Sequence, residues 1–220
     1  MKKIIALVLM LVLTCCLFTG CRRPYDKPEF VTIEASQTAF LVPLVGDSSN
    51  QSAFESEEML LQAKVATKEI QIPHRWVQMG RYDWYGEWRP SAKLIVVDRT
   101  PVTREWSSTE DTGTSKQNQA IYAEDVDSIG FSVGMNCSAQ IYSEEDAVKF
   151  LYSYNGNSLN AVMDTEIRAM VETRFVEEAG DDTMETILKT KDAIMDSVRE
   201  DVTEYFAGKG ITITVLGYKD

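Results

Sequence analysis

The sequence predicts an α+β domain, an antiparallel sheet covered on one face by about three helices and closed by a C-terminal strand. Three observations predict it. Ile129, Phe131, Val133, Met135, Cys137, Ala139 and Ile141 occupy every second position, the period of a strand with one buried face. From Ser143 the apolar spacing changes to three and four and keeps that helical period as far as Phe206. After Gly208 and Gly210 it returns to alternation over Ile211 to Leu216, so a last strand rejoins the sheet.

The first 20 residues read as an export leader. Lys2 and Lys3 start it, Ile4 to Phe18 is almost unbroken apolar sequence, and Leu17-Phe18-Thr19-Gly20-Cys21 resembles the lipobox of bacterial lipoproteins. The run is shorter than the roughly 20 residues that cross a bilayer. Small residues at Thr19 and Gly20 give a peptidase access to the bond before Cys21, whose freed thiol and amine can then carry acyl chains such as palmitate. Phe18 departs from the Leu usual at its position. Each buried methylene holds such an anchor by roughly 0.8 kcal/mol, so two or three chains tether a folded body firmly to the membrane. The expected location is extracytoplasmic, periplasmic or at the outer cell surface. Arg22 is not the aspartate that retains lipoproteins at the inner membrane of some Gram-negative bacteria, so outer-membrane sorting stays open.

Loss of residues 1–20 leaves 200 residues, enough for one domain with a substantial core, and takes the formal charge from −12 to −14 because Lys2 and Lys3 go with the leader. A chain this acidic is a poor partner for nucleic acid, whose phosphates need a cationic surface. Cys15 and Cys16 lie in the leader and Cys21 takes lipid, so Cys137 is the single thiol left and an intramolecular disulfide is excluded.

Residues 21–37, with Pro24, Pro28 and no apolar period, read as a lipid-anchored tether, and residues 38–220 as the folded domain. Thr38 to Val45 is a strand whose Pro43 marks an edge or a bend. Residues 46–56 are small and polar and make a loop. Lys93 to Asp98 and Ala120 to Glu124 are short strands that can pair with the long one at Ile129 to Tyr142, with a polar loop over residues 107–118 between them. On the long strand the second face carries Gly130, Ser132, Gly134, Asn136, Ser138 and Gln140, so only one face is core. Ser143 and Asp146 form a capping box ahead of Ala147, Phe150 and Leu151. A second helix runs from about Ser158 to Glu178 and a third from near Asp182 or Thr183 to Phe206, stopped by Gly208 and Gly210.

This order resembles the SPFH or band-7 domain of stomatins, prohibitins and flotillins over most of residues 30–220. There a period-two strand is followed by a short capped helix, a helix with an early arginine, a longer charged helix and a Gly-Ile-x-hydrophobic strand. The matching elements here are Ile129 to Ile141, Asp146 to Tyr152, Leu159 to Arg168 and onward, Met184 to Phe206, and Gly210-Ile211-Thr212-Ile213. The strings IQIPHRWVQMGR and LIVVDRTPVTREW resemble a bacterial and phage-associated lipoprotein branch of that family. The resemblance implies a membrane-attached scaffold that forms homo-oligomers, marks a membrane patch and, in some relatives, controls a membrane protease. It brings no catalytic residues and no cofactor. Relatives commonly continue into a long coiled coil, whereas this sequence stops at Asp220, a departure that speaks against large rings.

The residues themselves offer little chemistry. Cys137 falls in the apolar series of a strand, the setting of an inert thiol. His74, the only histidine, lacks the second histidine or cysteine a metal site needs and reads as a packing or hydrogen-bonding residue near a strand end. Glu144-Glu145-Asp146 and Asp181-Asp182 suit helix starts, where negative charge complements the dipole, and Asp125 and Asp127 suit a turn. Neither a catalytic nor a metal site is expected.

Residues 74–106 stand out. They hold all four tryptophans with Tyr82 and Tyr85, and six Lys or Arg residues against four acidic ones in an otherwise acidic chain. Trp and Tyr favour the lipid headgroup layer and arginines attract anionic lipid. Tyr82, Trp84, Tyr85 and Trp88 are therefore the candidate membrane contacts, the competing reading being that these rings pack the sheet or a subunit contact. Two other function classes remain beside the scaffold: a solute-binding or inhibitory lipoprotein with a pocket between sheet and helices, and a hydrolase working through paired carboxylates in a cleft.

Overall fold

A computed structural model of the chain describes residues 23–44, 56–108, 114–115 and 117–219. The leader, Cys21, all but the last residue of the loop expected at 46–56 and part of that at 107–118 lie outside the described residues. In chain order the elements are β1 (Glu29–Thr32), β2 (Gln37–Pro43), α1 (Glu57–Ala63), β3 (Glu69–Ile72), β4 (His74–Gln78), β5 (Gly86–Pro90), β6 (Ala92–Asp98), β7 (Val102–Trp106), β8 (Ile121–Glu124), β9 (Gly130–Gln140), α2 (Glu144–Tyr154), α3 (residues 159–180), α4 (Met184–Ala207) and β10 (Thr212–Lys219). Mixed α and β structure with antiparallel pairing and a C-terminal strand is as expected, but the strands form one four-stranded and three two-stranded sheets among the described residues where one sheet was expected.

The chain divides into two compact units where one was expected. Among the described residues the first comprises 23–32, 43–44 and 69–93, and the second those from 33–42, 56–68 and 94–219. In the first, β1 pairs antiparallel with β3 and β4 with β5. These two-stranded ribbons bury little among the described residues, chiefly Ile72. Glu29–Thr32, read as part of the tether, is thus a paired strand. Its alternation was invisible because Glu29, Phe30 and Thr32 all stay exposed.

The second unit is built on β9. Strand β10 pairs along one edge of it, and β7 and β8 share the other. Strand β6 pairs with β2 instead of β9, which corrects the expected partner. Met135, Cys137, Ala139 and the following Ile141 are fully buried in one apolar cluster with α2, α3 and α4. The other face of β9 keeps its small polar residues, and Thr103 Oγ1 lies 3.1 Å from Ser138 Oγ across it.

Helix α2 starts as expected, with the Ser143 hydroxyl accepting from Asp146 N and the Asp146 carboxylate accepting from Ser143 N. Helix α3 is interrupted by a π segment, Met163–Ile167, between the α segments Leu159–Val162 and Arg168–Gly180. Its core residues Met163, Ile167, Val171, Phe175 and Ala179 recur every fourth position. In an uninterrupted α-helix that spacing would rotate the stripe off the core by about 40° per step, and the wider π turn takes up one residue.

Two local devices close the unit. Gly210 adopts φ +79, and a Cβ there would stand 2.1 Å from the Asp146 carbonyl, so only glycine lets the chain pass the first turn of α2 into β10. A bulge between Ile213 and Val215 then shifts the register of β10 on β9. Strict alternation would send Ile211, Ile213 and Val215 inward, but the extra residue makes Leu216 the buried one, at 2 % exposure, and leaves Val215 at 49 %.

Candidate functional site, an aromatic hairpin

Residues 74–90 form a hairpin in the first unit, β4 and β5 joined by residues 79–85. Trp76 faces Trp88 across the ribbon, with ring centroids 5.5 Å apart in an edge-to-face arrangement. Gly86 makes that close approach possible, since a Cβ there would stand 2.3 Å from the Val77 carbonyl oxygen. At the tip, Met79 N donates to Tyr85 O and Tyr85 N to Tyr82 O, which closes the loop into a compact turn. Tyr82 and Trp84 stack at 4.7 Å. Met79, Tyr82, Trp84 and Tyr85 are each between 40 % and 62 % exposed, a high value for four large side chains in seven residues.

The segment read as a tether lies along this hairpin. The Asp26 carboxylate is 2.7 Å from His74 Nδ1, the Pro24 carbonyl accepts from Trp88 Nε1 at 2.8 Å, and Arg23 donates through Nη2 to Asp83 Oδ1 at 2.5 Å. Trp76 Nε1 also donates to the Asp83 carbonyl at 2.9 Å, and the Arg23 guanidinium lies 5.6 Å from the Trp76 ring centroid. Followed backward from Asp26 to Arg23, the chain therefore runs from the base of the hairpin to its tip. Nothing in the spacing of Arg23, Pro24 and Asp26 announces these partners, which are 48 to 64 residues away.

The four membrane-contact candidates separate into two kinds. Tyr82, Trp84 and Tyr85 project at the tip, and Met79, not singled out in the sequence, joins them. Trp88 instead sits in β5, half-buried, with its indole N–H satisfied by Pro24. Residues 94–106 of the segment belong to the second unit, where Trp106, Arg104 and Arg99 have structural partners. Trp106 is in the core at 1 % exposure. Arg104 grips the Asp164 carboxylate with both Nε and Nη2, at 2.6 and 3.1 Å, and Asn160 Oδ1 at 2.9 Å. Arg99 donates to the carbonyls of Tyr142 and Ala35. Cys21, the candidate lipid-bearing residue, lies outside the described residues.

Several of the groups weighed for chemistry in the sequence have structural partners. Burial pushes the Cys137 thiol up to about 12, so it is protonated at neutral pH. His74 serves the Asp26 contact, in keeping with a hydrogen-bonding residue at a strand end. Glu144 is held below the usual carboxylate range by its hydrogen bond to the Lys64 ammonium, 2.5 Å away. Asp125 does belong to a turn, its Oδ1 accepting from Asp127 N and Ile129 N. Asp181 and Asp182 stand immediately before the last helix. Thr183 occupies the N-cap without a side-chain hydrogen bond, and Asp125 Oδ2 accepts from Met184 N in its place. Among the described residues no cluster of three His, Cys, Asp or Glu side chains could hold a metal ion, and no helix is long and apolar enough to cross a membrane. A cleft of about 170 Å³ lies between β6 and the α2–α3 turn, lined by Val96, Asp98, Thr100, Phe150 and Asn157 among others.

No protein-family model matches the chain, and no curated protein matches it.

Proposed function

We propose that the protein is a lipid-anchored scaffold of SPFH or band-7 type, held at the extracytoplasmic face of a membrane by acyl chains on Cys21 and self-associating there without catalysis. The observation that carries this reading is the succession β9, α2, α3, α4, Gly210-Ile211 and β10, in which the last strand returns to pair with the first. That is the order on which the family resemblance rests. The lipobox-like sequence before Cys21 supports the anchor.

Self-association is assigned to the helix faces between Leu159 and Phe206 and to the sheet edge. Val176, Leu188 and Tyr205 are exposed apolar side chains on α3 and α4. The outer edge of β10 pairs with no strand among the described residues, although Arg199 Nε donates to its Leu216 carbonyl, and an edge of this kind can add a strand of a second copy. A membrane protease or another membrane protein is the class of partner the scaffold would control. A solute-binding lipoprotein calls for a pocket of roughly 300 Å³ or more. The cleft beside β6 is smaller than that, at about 170 Å³.

Light scattering on the full acylated chain, extracted in detergent and corrected for bound detergent, tests the scaffold. The expected mass is a multiple of 24.8 kDa, less the leader. A strict monomer at high protein concentration contradicts it.

A further inference from the structure

We infer that the tip of the β4–β5 hairpin is a second membrane contact, seated in the interfacial layer of the same bilayer leaflet that holds the acyl chains. The inference rests on the reading that Cys21 carries the anchor, and adds to it an orientation of the first unit.

Covalent geometry carries the argument. Cys21 is two residues from Arg23, so their Cα atoms are at most about 7 Å apart. Arg23 is bound at the tip through both carboxylate oxygens of Asp83, at 2.5 and 3.2 Å. Acyl chains on Cys21 would then start near Met79, Tyr82, Trp84 and Tyr85, which would bring these side chains within reach of the surface that receives the chains. Their chemistry suits that surface. Tyr and Trp have an apolar body with a polar handle, and the stacked Tyr82–Trp84 pair presents such a platform already formed. Arg81 in the same loop is exposed and has no ion pair among the described residues, so its guanidinium is available to lipid phosphate. The tip's acidic residue, Asp83, is neutralised by Arg23. Gly80 lets the Tyr85 ring lie against the backbone, since a Cβ there would be 2.8 Å from the ring.

The test uses the full acylated chain reconstituted in phosphatidylcholine vesicles containing phosphatidylglycerol, with bromine on the upper part of the lipid chains as a quencher of tryptophan emission. Trp106 is buried, and Trp76 and Trp88 are half-buried with their indole N–H groups bonded within the hairpin, so Trp84 is the ring placed to meet lipid. The native chain should be quenched, and Trp84→Phe should lose most of that quenching. Aqueous acrylamide should report the reverse, with the native protein shielded on reconstitution and the variant gaining no such protection. The mass of the N-terminal peptide reads the anchor separately. Equal lipid quenching in both chains with acyl groups present on Cys21 overturns the hairpin contact, in favour of a protein partner at the tip, and leaves the anchor standing. A bare Cys21 removes the anchor and this inference together.

Discussion

Asp125 Oδ2 accepts a hydrogen bond from the backbone N–H of Met184 at 3.0 Å, so a turn between two strands supplies the N-terminal cap of the longest helix. The same carboxylate accepts from Asp127 N and Ile129 N, and Val126 N donates to the Asp182 carbonyl. Asp125 is buried, so all three donors lose their partner when it is removed. Asp125→Ala is therefore expected to destabilise the protein by about 3 kcal/mol, with Asp125→Asn costing less because one oxygen remains. Urea unfolding followed by circular dichroism gives the difference, and an unchanged midpoint for Asp125→Ala would show that α4 is capped otherwise.

Cys137 should be inert in the folded protein. With the thiol pushed up to about 12 from an ordinary 9.0, a disulfide reagent at pH 8 should fail to modify it until denaturant is added. The sign of its effect on stability follows. The folded-state value is raised, so the stability tied to the protonated thiol is whole below pH 9 and declines between pH 9 and 12, by at most about 1.4 kcal/mol per pH unit. Cys137→Ser should flatten that part of the pH–stability curve relative to the native chain.

Two tryptophans of the same sequence segment should behave oppositely. Trp106→Ala empties the core around β7 and is expected to cost about 4 kcal/mol. Trp84→Ala changes an exposed tip residue and is expected to stay within about 0.5 kcal/mol. Thermal melts of both variants test the separation, and a large loss for Trp84→Ala would place its ring in a packing role.

The Arg104 clasp joins β7 to the π segment of α3. Arg104 is largely shielded while Asp164 is half exposed, so solvent screening limits the worth of the pair, and Arg104→Ala should cost about 1 kcal/mol. Arg104→Lys cannot reproduce the two-pronged contact and should recover only part of it. Parallel denaturant melts of both variants measure this, and equal stability of Arg104→Ala and the native chain would reduce the clasp to a surface pair.

The second unit was more legible in the sequence than the first because period reveals elements with one buried face. β9, α2, α3, α4 and β10 each bury a stripe, and each was found near its observed bounds. Strand β7 was missed because Arg104 stands at its central inward position, between Val102 and Trp106, where Asp164 compensates a charge that breaks the apolar period. Helix α1 was missed because two turns are too short for a stripe, although Ser56 ahead of Glu57-Glu58 is a capping signal and its hydroxyl accepts from Met59 N. In the first unit, β1, β3, β4 and β5 form ribbons exposed on most sides, so no alternation marks them. The aromatic tip was legible as composition. Its relation to residues 23–26 was not, because the contacts that make it join groups 48 to 64 residues apart.

The anchor at Cys21 is the claim on which location, orientation and scaffold role all depend, and metabolic labelling with palmitate tests it most directly. The native chain should take up label and sediment with membranes, and Cys21→Ser should do neither. Native protein that remains unlabelled and is recovered free in the medium contradicts the account.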